Sequence, residues 1–432
     1  MKKSLFIASM LLVTIGLQAQ KLDKAKKYLE DKKLAEAKTE IENFLAIDKN
    51  KLNAEAIYVK GKIYLAISKD AALKGSQPDA KDIAFEAVKQ YRSLEAQNVK
   101  DTTKRYMSMM LDNNYPLFDL YKDYSADGAT FYNANNFNDA LTNFGKCVDV
   151  FTYLLDSKLI PAMFDTTTVL YTGICAEKAQ KPDVAAKYYG MIAEKKIKSE
   201  GFLDIYKWLT DFYSRKDDKA NTEKYLNLGR SVYPTDSFWD AFDLENVREK
   251  GSKEDLYKKY EEIIARNPDN VNFVFNYGVD LYQAGYDPEV SKRPGNSKEL
   301  IAKALVYFKK AVELKPDFAN ANMVIGQLIY NEGVDINNVN KTIRPQNGQK
   351  LKPEELKKKD ELRKETAKKF EEALPYFEKV EKALDSQAKL KMDDKTILKE
   401  CFDTMIIIYE TLDKKEKAQE YTDKYNGVDK KH

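Results

Sequence analysis

The residues that most often carry out acid–base and nucleophilic chemistry are scarce in this sequence of 432 residues. His432, the last residue, is the only histidine. A Ser-His-Asp or Cys-His arrangement, or a histidine metal site, needs a histidine held within a structured interior, so none of these is expected. The sequence also lacks the GxGxxG and GxxxxGKS/T motifs that cradle phosphate groups. We therefore predict a protein without catalytic activity, cofactor or metal.

Paired acidic residues are the remaining candidates for acid–base catalysis. Asp217-Asp218 and Glu261-Glu262 are adjacent carboxylates, but both pairs lie among lysines. Helical proteins place such mixed charges on a solvated face far more often than they build a catalytic dyad from them. We interpret both pairs as solvated surface.

The three cysteines, Cys147, Cys175 and Cys401, are too far apart for a CxxC or zinc-ribbon pattern. Cys147 falls at a small core position of the repeat described below, which favours a small buried hydrophobe. A Cys147–Cys175 disulfide is an alternative in an exported protein, and metal binding is a third interpretation.

The first residues have the pattern of a secretory signal peptide. Two lysines precede an apolar run that ends at Leu17, and the small Ala19 follows where a peptidase would cut. A membrane-spanning helix is the alternative, but the run is shorter than the roughly 20 residues that a bilayer requires. We expect residues 1–19 to be removed, leaving a periplasmic or secreted chain that begins near Gln20. No cysteine follows the cut site, so a lipoprotein-type anchor has no attachment point.

The composition favours helices. Charged residues make up 33% of the sequence, whereas 17 glycines and 12 prolines are few for this length. This balance suits an all-α protein with solvated helix faces better than a loop-rich β-protein. Removal of Lys2 and Lys3 with the leader would leave 70 of the 72 basic residues against 69 acidic ones, so we expect no nucleic-acid partner.

A spacing of small and aromatic residues recurs along the chain. Gly128 is followed by Ala140 and Phe144, twelve and sixteen positions later, and Gly173 has an alanine and a tyrosine at the same distances. Further copies begin at Ala25, Gly61, Gly278 and Gly326, the last three with inserted residues before the aromatic position. Glycine costs about 1 kcal/mol relative to alanine inside a helix, so its recurrence indicates helices that pack closely.

This pattern resembles that of the tetratricopeptide repeat family, whose unit is a pair of antiparallel helices with small residues where they cross. Pro234 and Pro268 are one family period apart. The resemblance covers the chain from Lys21 to about Tyr425. It implies an all-α, right-handed helical-repeat solenoid of about nine tetratricopeptide-like helix pairs.

The repeat register predicts where each pair begins and how the chain divides. We expect pairs to start near residues 21, 52, 101, 166, 201, 237, 271, 319 and 395. The third should have a long first helix, roughly Thr103 to Asn133, kinked at Pro116. After the leader, we divide the chain into N-terminal repeats at 20–267 and C-terminal repeats at 268–432, which include a charged insert at 331–369.

The resemblance implies a non-catalytic scaffold that binds protein or peptide partners along the first helices of its pairs. Amides and aromatic residues recur on successive turns of the seventh and eighth first helices. The predicted partner-binding residues are Asn272, Phe275, Asn276, Tyr282, Asn320, Gln327, Tyr330 and Asn331. Amides bond an extended backbone in both directions, and tyrosines add contact area at low entropic cost. The alternative interpretation is polar surface together with packing between units.

One variant within the family, a clamp of lysine, arginine and asparagine that grips a C-terminal carboxylate, is not matched. One unit has Lys207 with Asp211 at the relevant positions, and another has Phe275 with Val279. We therefore do not expect recognition of a C-terminal carboxylate.

Two inserts form a second candidate surface. The first, residues 284–297, reads as a loop. The second is predicted to be a loop from Lys341 followed by a highly charged helix. That helix is either a solvated extension of the second helix of its pair or a docking element. Inserts in adjacent units fall on one side of a repeat array, so the two could form one rim.

Two other functions remain open at this stage. A self-associating structural solenoid could pair through its last unit, at Tyr409, Tyr421 and Tyr425. Capture of glycans is disfavoured, because sugar platforms favour tryptophan and the chain has only 2.

Overall fold

The computed structural model describes residues 21–345 and 350–432. Across these two ranges the chain forms 19 α-helices and no β-strand, which confirms the all-α prediction. The leader predicted at residues 1–19 lies outside the described residues. No helix in the described ranges has a stretch long and apolar enough to cross a membrane.

The chain forms two compact units, one up to Trp239 and one from Asp240. The helices that begin in the first unit are α1 (21–30), α2 (Leu34–Leu45), α3 (Ala54–Lys69), α4 (Ala80–Asn98), α5 (Met107–Leu111), α6 (Tyr115–Asn133), α7 (Phe137–Asp156), α8 (Thr166–Lys178), α9 (Pro182–Glu194), α10 (Leu203–Arg215), α11 (Lys219–Val232) and α12 (Phe238–Lys250). Those of the second unit are α13 (Lys253–Arg266), α14 (Val271–Gly285), α15 (Ser297–Leu314), α16 (Ala319–Thr342), α17 (Pro353–Leu384), α18 (Met392–Thr411) and α19 (Lys415–Lys431). The division of repeats at residue 267 stays a prediction.

Consecutive helices pack as pairs. Contact along the helices joins α3–α4, α6–α7, α8–α9, α10–α11, α14–α15, α16–α17 and α18–α19. Side chains join the other two pairs: Ala25 and Ala37 are buried in one core shared by α1 and α2, and Arg248 Nη2 of α12 donates to Tyr260 Oη of α13 at 3.0 Å. Within the described residues the helices other than α5 thus form the predicted nine pairs.

Four of the recurring glycines lie where an aromatic ring of the partner helix crosses them, whereas Gly61 lies against Val88 and Ala87. A β-carbon at Gly128 would lie 2.7 Å from the ring of Phe144, and one at Gly278 would lie 2.7 Å from the ring of Phe308. Such separations are too short for van der Waals contact, so each ring occupies the space that a side chain would need. The same contact joins Gly173 with Tyr189 and Gly326 with Phe377. The spacing in the sequence therefore marks the helix crossings.

The first helix of the third pair differs from the prediction of one kinked helix. The chain forms the short α5, a turn and then α6. Asn113 and Asn114 have positive φ angles of 50° and 57°, a left-handed conformation that asparagine tolerates. Pro116 lies in the first turn of α6, where its missing N–H would have had no helical partner. The predicted kink was wrong because this proline begins a helix.

The insert at 331–369 is largely helical. Its first part continues α16 to Thr342, and its last part forms the start of α17 from Pro353. A β-carbon at Gly333 would lie 2.7 Å from the ring of Phe370, so the glycine–aromatic contact recurs within the insert. The charged helix that extends the second helix of its pair was correctly predicted, but the connection before it begins later than expected. Residues 346–349 of that connection lie outside the described residues.

The three cysteines are free and buried. Burial raises the pKa of the Cys147 thiol to about 12 and that of Cys175 to about 11. Cys147 Sγ donates to the backbone oxygen of Tyr121 at 3.3 Å. The thiols are small buried core residues, as the favoured interpretation predicted, and the alternative Cys147–Cys175 disulfide is not formed.

Two glycine-to-alanine changes in the second unit should have opposite effects on stability. Gly278→Ala places a methyl group against the fully buried Phe308 and should destabilise the unit by about 1–3 kcal/mol. Gly427→Ala, in α19 where nothing lies within 4 Å of the new β-carbon, should stabilise it by up to about 1 kcal/mol. Urea titrations followed by circular dichroism measure both changes. Equal effects of the two substitutions would contradict the crossing geometry.

Candidate functional site

The eight residues predicted to bind a partner lie on α14 and α16, the first helices of the seventh and eighth pairs. Asn272 and Asn276 are exposed, and their spacing of four places them on one face of α14. Asn320 is half-buried in the first turn of α16. Three amides therefore remain accessible, at least in part, to a partner.

A chain of hydrogen bonds joins three of the predicted residues across the two helices. Gln327 Nε2 donates to Asn331 Oδ1 at 3.1 Å, and Asn331 Nδ2 donates to Tyr282 Oη at 3.1 Å. The structure thus brings Tyr282, Gln327 and Asn331 together. Burial raises the pKa of Tyr282 to about 12, so its hydroxyl keeps its proton at neutral pH.

The other two aromatic residues of the predicted set pack inside the repeats. The Phe275 ring lies 5.7 Å from that of Phe308 and 5.0 Å from that of Phe318. The Tyr330 ring stacks on Phe370 at 5.0 Å. Both residues are half-buried. Their contacts match the alternative interpretation of packing between helices.

A cavity of about 400 Å³ lies beside the hydrogen-bonded chain, between α14, α15 and α16. Tyr282 and Tyr286 form one wall, and apolar side chains of α15 and α16 line the interior, among them Ile301, Leu305 and Leu328. The volume falls within the range of small ligand sites.

The loop after α14 is held over this cavity by one arginine. Arg293 Nη1 and Nη2 donate to the two carboxylate oxygens of Asp335 at 2.6 and 3.2 Å, and the hydrogen bond to Asp335 raises the arginine pKa. The guanidinium carbon lies 4.6 Å from the centre of the Tyr286 ring, which itself stacks on Tyr282 at 5.0 Å. Arg293 belongs to the first insert and Asp335 to the second, so the two inserts are in contact.

Sequence reasoning missed Tyr286, Arg293 and Asp335 as site residues. Arg293 and Asp335 are 42 positions apart, and no local pattern joins them. The available signal was the Arg293-Pro294-Gly295 segment within the first insert, which marked a loop but gave no partner.

The acidic pairs considered for acid–base chemistry have structural partners. Asp218 caps α11 by accepting from the backbone N–H of Asn221 at 3.1 Å. Glu261 accepts from Lys303 Nζ at 2.8 Å and from Tyr277 Oη at 2.9 Å. The hydrogen bond from Lys303 is the main cause of a lowered Glu261 pKa, which makes the carboxyl a poor general acid.

The tyrosines named for self-association are mostly interior. Tyr409 and Tyr421 are buried, with ring centres 5.5 Å apart, and Tyr421 Oη donates to Glu381 at 2.9 Å. Tyr425 is partly exposed, with Lys399 Nζ 5.7 Å from its ring centre. Two of the three tyrosines considered for a pairing surface therefore fill the core of the last pair, and Tyr425 remains at the surface.

Breaking the Arg293–Asp335 pair should loosen the loop over the cavity. Arg293→Gln removes a two-point ionic hydrogen bond, so local opening of residues 286–297 should become roughly tenfold more frequent. Amide hydrogen exchange of that segment measures the change. Lys292→Gln is the control, because its ion pair with Glu289 is exposed and contributes little. An equal effect of both substitutions would contradict the anchoring role of Arg293.

No protein-family model matches the sequence, and no curated protein matches it. The chain is similar to the solved structure of MamA, at 16% identity and a TM-score of 0.30, covering 47% of this chain and 95% of that one. It is also similar to the TPR domain of P58(IPK), at 12% identity and a TM-score of 0.23, covering 90% and 98%. A third is the TPR2AB domain of yeast Sti1 in its pHSP90 complex, at 12% identity and a TM-score of 0.23, covering 65% and 98%.

At these identities and TM-scores the comparisons carry no argument about the fold, the function or the partners of this chain. The fold assignment rests on the contacts within this chain. Consecutive helices pair, and a glycine of the first helix faces an aromatic ring of the second at the crossings of four of the pairs. The chain has the tetratricopeptide repeat fold.

Proposed function

We propose that this protein is a non-catalytic scaffold that binds an extended segment of a partner protein along α14 and α16. The observation that carries the proposal is the hydrogen-bonded chain of Gln327, Asn331 and Tyr282, which joins α16 to α14, the helix that also carries the exposed amides. Because one fold can serve many functions, the fold does not identify the partner, and the partner must be inferred from the chemistry of this surface.

The amides suit a peptide backbone. Each asparagine side chain carries both donors and an acceptor, as does each residue of an extended peptide. Asn272 and Asn276 are exposed one helical turn apart and are therefore free to bond successive backbone groups. Recognition through the backbone tolerates many peptide sequences.

The charges on the two helices are largely neutralised within the protein. Asp280, the only charged residue of α14, pairs with Arg248 at 2.7 Å. On α16, Glu332 pairs with Lys369 at 2.7 Å, and Asp335 pairs with Arg293. A strongly acidic or basic peptide gains little from such a surface, so we propose a partner segment of low net charge.

The alternative functions have weaker support. Self-association through the last pair would need surfaces that Tyr409 and Tyr421 do not present, since both are buried. A sugar platform would need an open tryptophan face, but Trp239 is buried and Trp208 is half-buried and stacked on Phe212 at 4.9 Å.

We further propose that the scaffold works in the cell envelope, in the periplasm or outside the cell. The support is the basic, apolar and small-residue pattern of residues 1–19. A scaffold in this location would hold proteins of an envelope complex together.

Selection from a library of random twelve-residue peptides displayed on phage tests the binding proposal. The protein should retain peptides, and Asn272→Ala/Asn276→Ala should weaken their binding about thirtyfold, because each of the two amides contributes about 1 kcal/mol of hydrogen bonding. Titration calorimetry with synthetic copies measures the affinities.

Asn133→Ala/Asn138→Ala, which removes two exposed amides from the first unit, serves as the matched control and should leave the affinity unchanged. If no peptide is retained, or if both double variants bind equally well, the proposed face is not a binding surface.

Processing of the leader tests the proposed location. Protein recovered from cells that express the complete sequence should begin at Gln20, as read from its intact mass and its N-terminal peptide. Ala19→Arg should block the cut, because the peptidase requires a small residue there. Recovery of a wild-type chain that still carries residues 1–19 would contradict export by this route.

A further inference from the structure

We propose that the cavity between α14, α15 and α16 is an anchor site for one large apolar side chain of the bound peptide, a leucine, methionine or phenylalanine. The carbonyl group of the peptide beside that side chain accepts a hydrogen bond from Tyr282. This inference rests on the proposed function and names the feature of the partner that the scaffold selects.

The lining of the cavity favours an apolar occupant. The side chains of Ile301, Leu305 and Leu328 face the rings of Tyr282 and Tyr286 across about 400 Å³. The apolar part of the lining offers water no hydrogen-bonding partner, so an apolar side chain displaces water there favourably.

The charges around the cavity disfavour a charged occupant. Arg293 and Asp335 satisfy each other with two hydrogen bonds, and Glu332 pairs with Lys369. Lys298 is exposed at the mouth, where it keeps its hydration. A charged side chain entering the cavity would lose its own hydration without gaining a free counter-charge in the interior.

The Tyr282 hydroxyl can orient the occupant. Tyr282 Oη accepts from Asn331, and its own proton has no acceptor among the described residues. A peptide carbonyl satisfies this proton, whereas a hydrocarbon alone does not. The site therefore fits an apolar residue within a peptide chain.

The distance to the exposed amides sets a minimum register. Tyr282 follows Asn276 by six positions on α14, which corresponds to about 9 Å along the helix and about 120° around it. An extended peptide needs about three residues for the axial distance alone. The anchor residue should therefore lie at least three positions from the residue that bonds to Asn276.

The peptides selected on the complete protein test the anchor. They should share one large apolar residue, and replacing it by alanine in a synthetic copy should weaken binding at least tenfold. Replacement by lysine should weaken binding further. Titration calorimetry with the wild-type protein measures these changes, so this part of the test needs no altered protein.

Variants of the protein test whether the apolar residue of the peptide binds in this cavity. Ala302→Trp fills the cavity from an exposed position of α15. It should weaken the binding of a selected peptide at least tenfold, but leave unchanged the binding of the copy whose apolar residue is replaced by alanine. Tyr282→Phe should weaken binding several-fold by removing the donor. Ala220→Trp, at an exposed position of α11, is the control and should have no effect. Circular dichroism melting curves verify that each variant is folded.

The outcomes separate this inference from the proposed function. The anchor is wrong and the scaffold proposal stands if the selected peptides lack a shared apolar residue. The same conclusion follows if Ala302→Trp binds the peptides as tightly as the wild type does, while Asn272→Ala/Asn276→Ala binds them more weakly. If Ala302→Trp loses the peptides and the double asparagine variant keeps them, the cavity is the site and the amide face is not. If the library yields no peptide, both are overturned.

Discussion

The contact between a glycine of one helix and an aromatic ring of its partner sets the geometry of the repeats. Because Gly278 has no side chain, the Phe308 ring packs directly on the backbone of α14. Two helices that approach this closely cannot rotate or slide without a clash. The outward faces of α14 and of α16, whose Gly326 packs on Phe377 in the same way, are fixed as a result. The hydrogen bond between Asn331 and Tyr282 depends on that alignment.

The same contact explains why the array accepts insertions. Fourteen residues more than in the shortest units separate the crossing positions of α14 and α15, yet Phe308 still meets Gly278. Lengthening a connection costs little entropy, since the cost grows only with the logarithm of its length. The extra residues were then free to form the loop that carries Arg293 over the cavity. An insertion that leaves the crossing intact can therefore add a binding feature.

Features that depend on local spacing could be predicted from the sequence, whereas contacts between residues far apart in the chain could not. The crossings follow a short motif, so the helix pairs and the glycine–aromatic contacts could be read directly. Pro116 was misjudged because a proline that kinks a helix and one that begins it look alike without the left-handed Asn113 and Asn114 before it. The pairing of Arg293 with Asp335 has no local signature. Phe275 and Tyr330 share the periodicity of a binding face, but neighbouring helices cover them.

The burial of the three cysteines has a consequence for maturation in the oxidising compartment that we propose for this protein. A thiolate is the reactive species in disulfide exchange, and burial keeps the thiols of Cys147 and Cys175 protonated at neutral pH. The folded chain is therefore a poor substrate for oxidants and for disulfide-forming enzymes. Its thiols are vulnerable only while the chain is unfolded, and closure of each helix pair ends that period. In the exported chain that we propose, local pairing of helices would thus limit cross-linking to neighbouring chains.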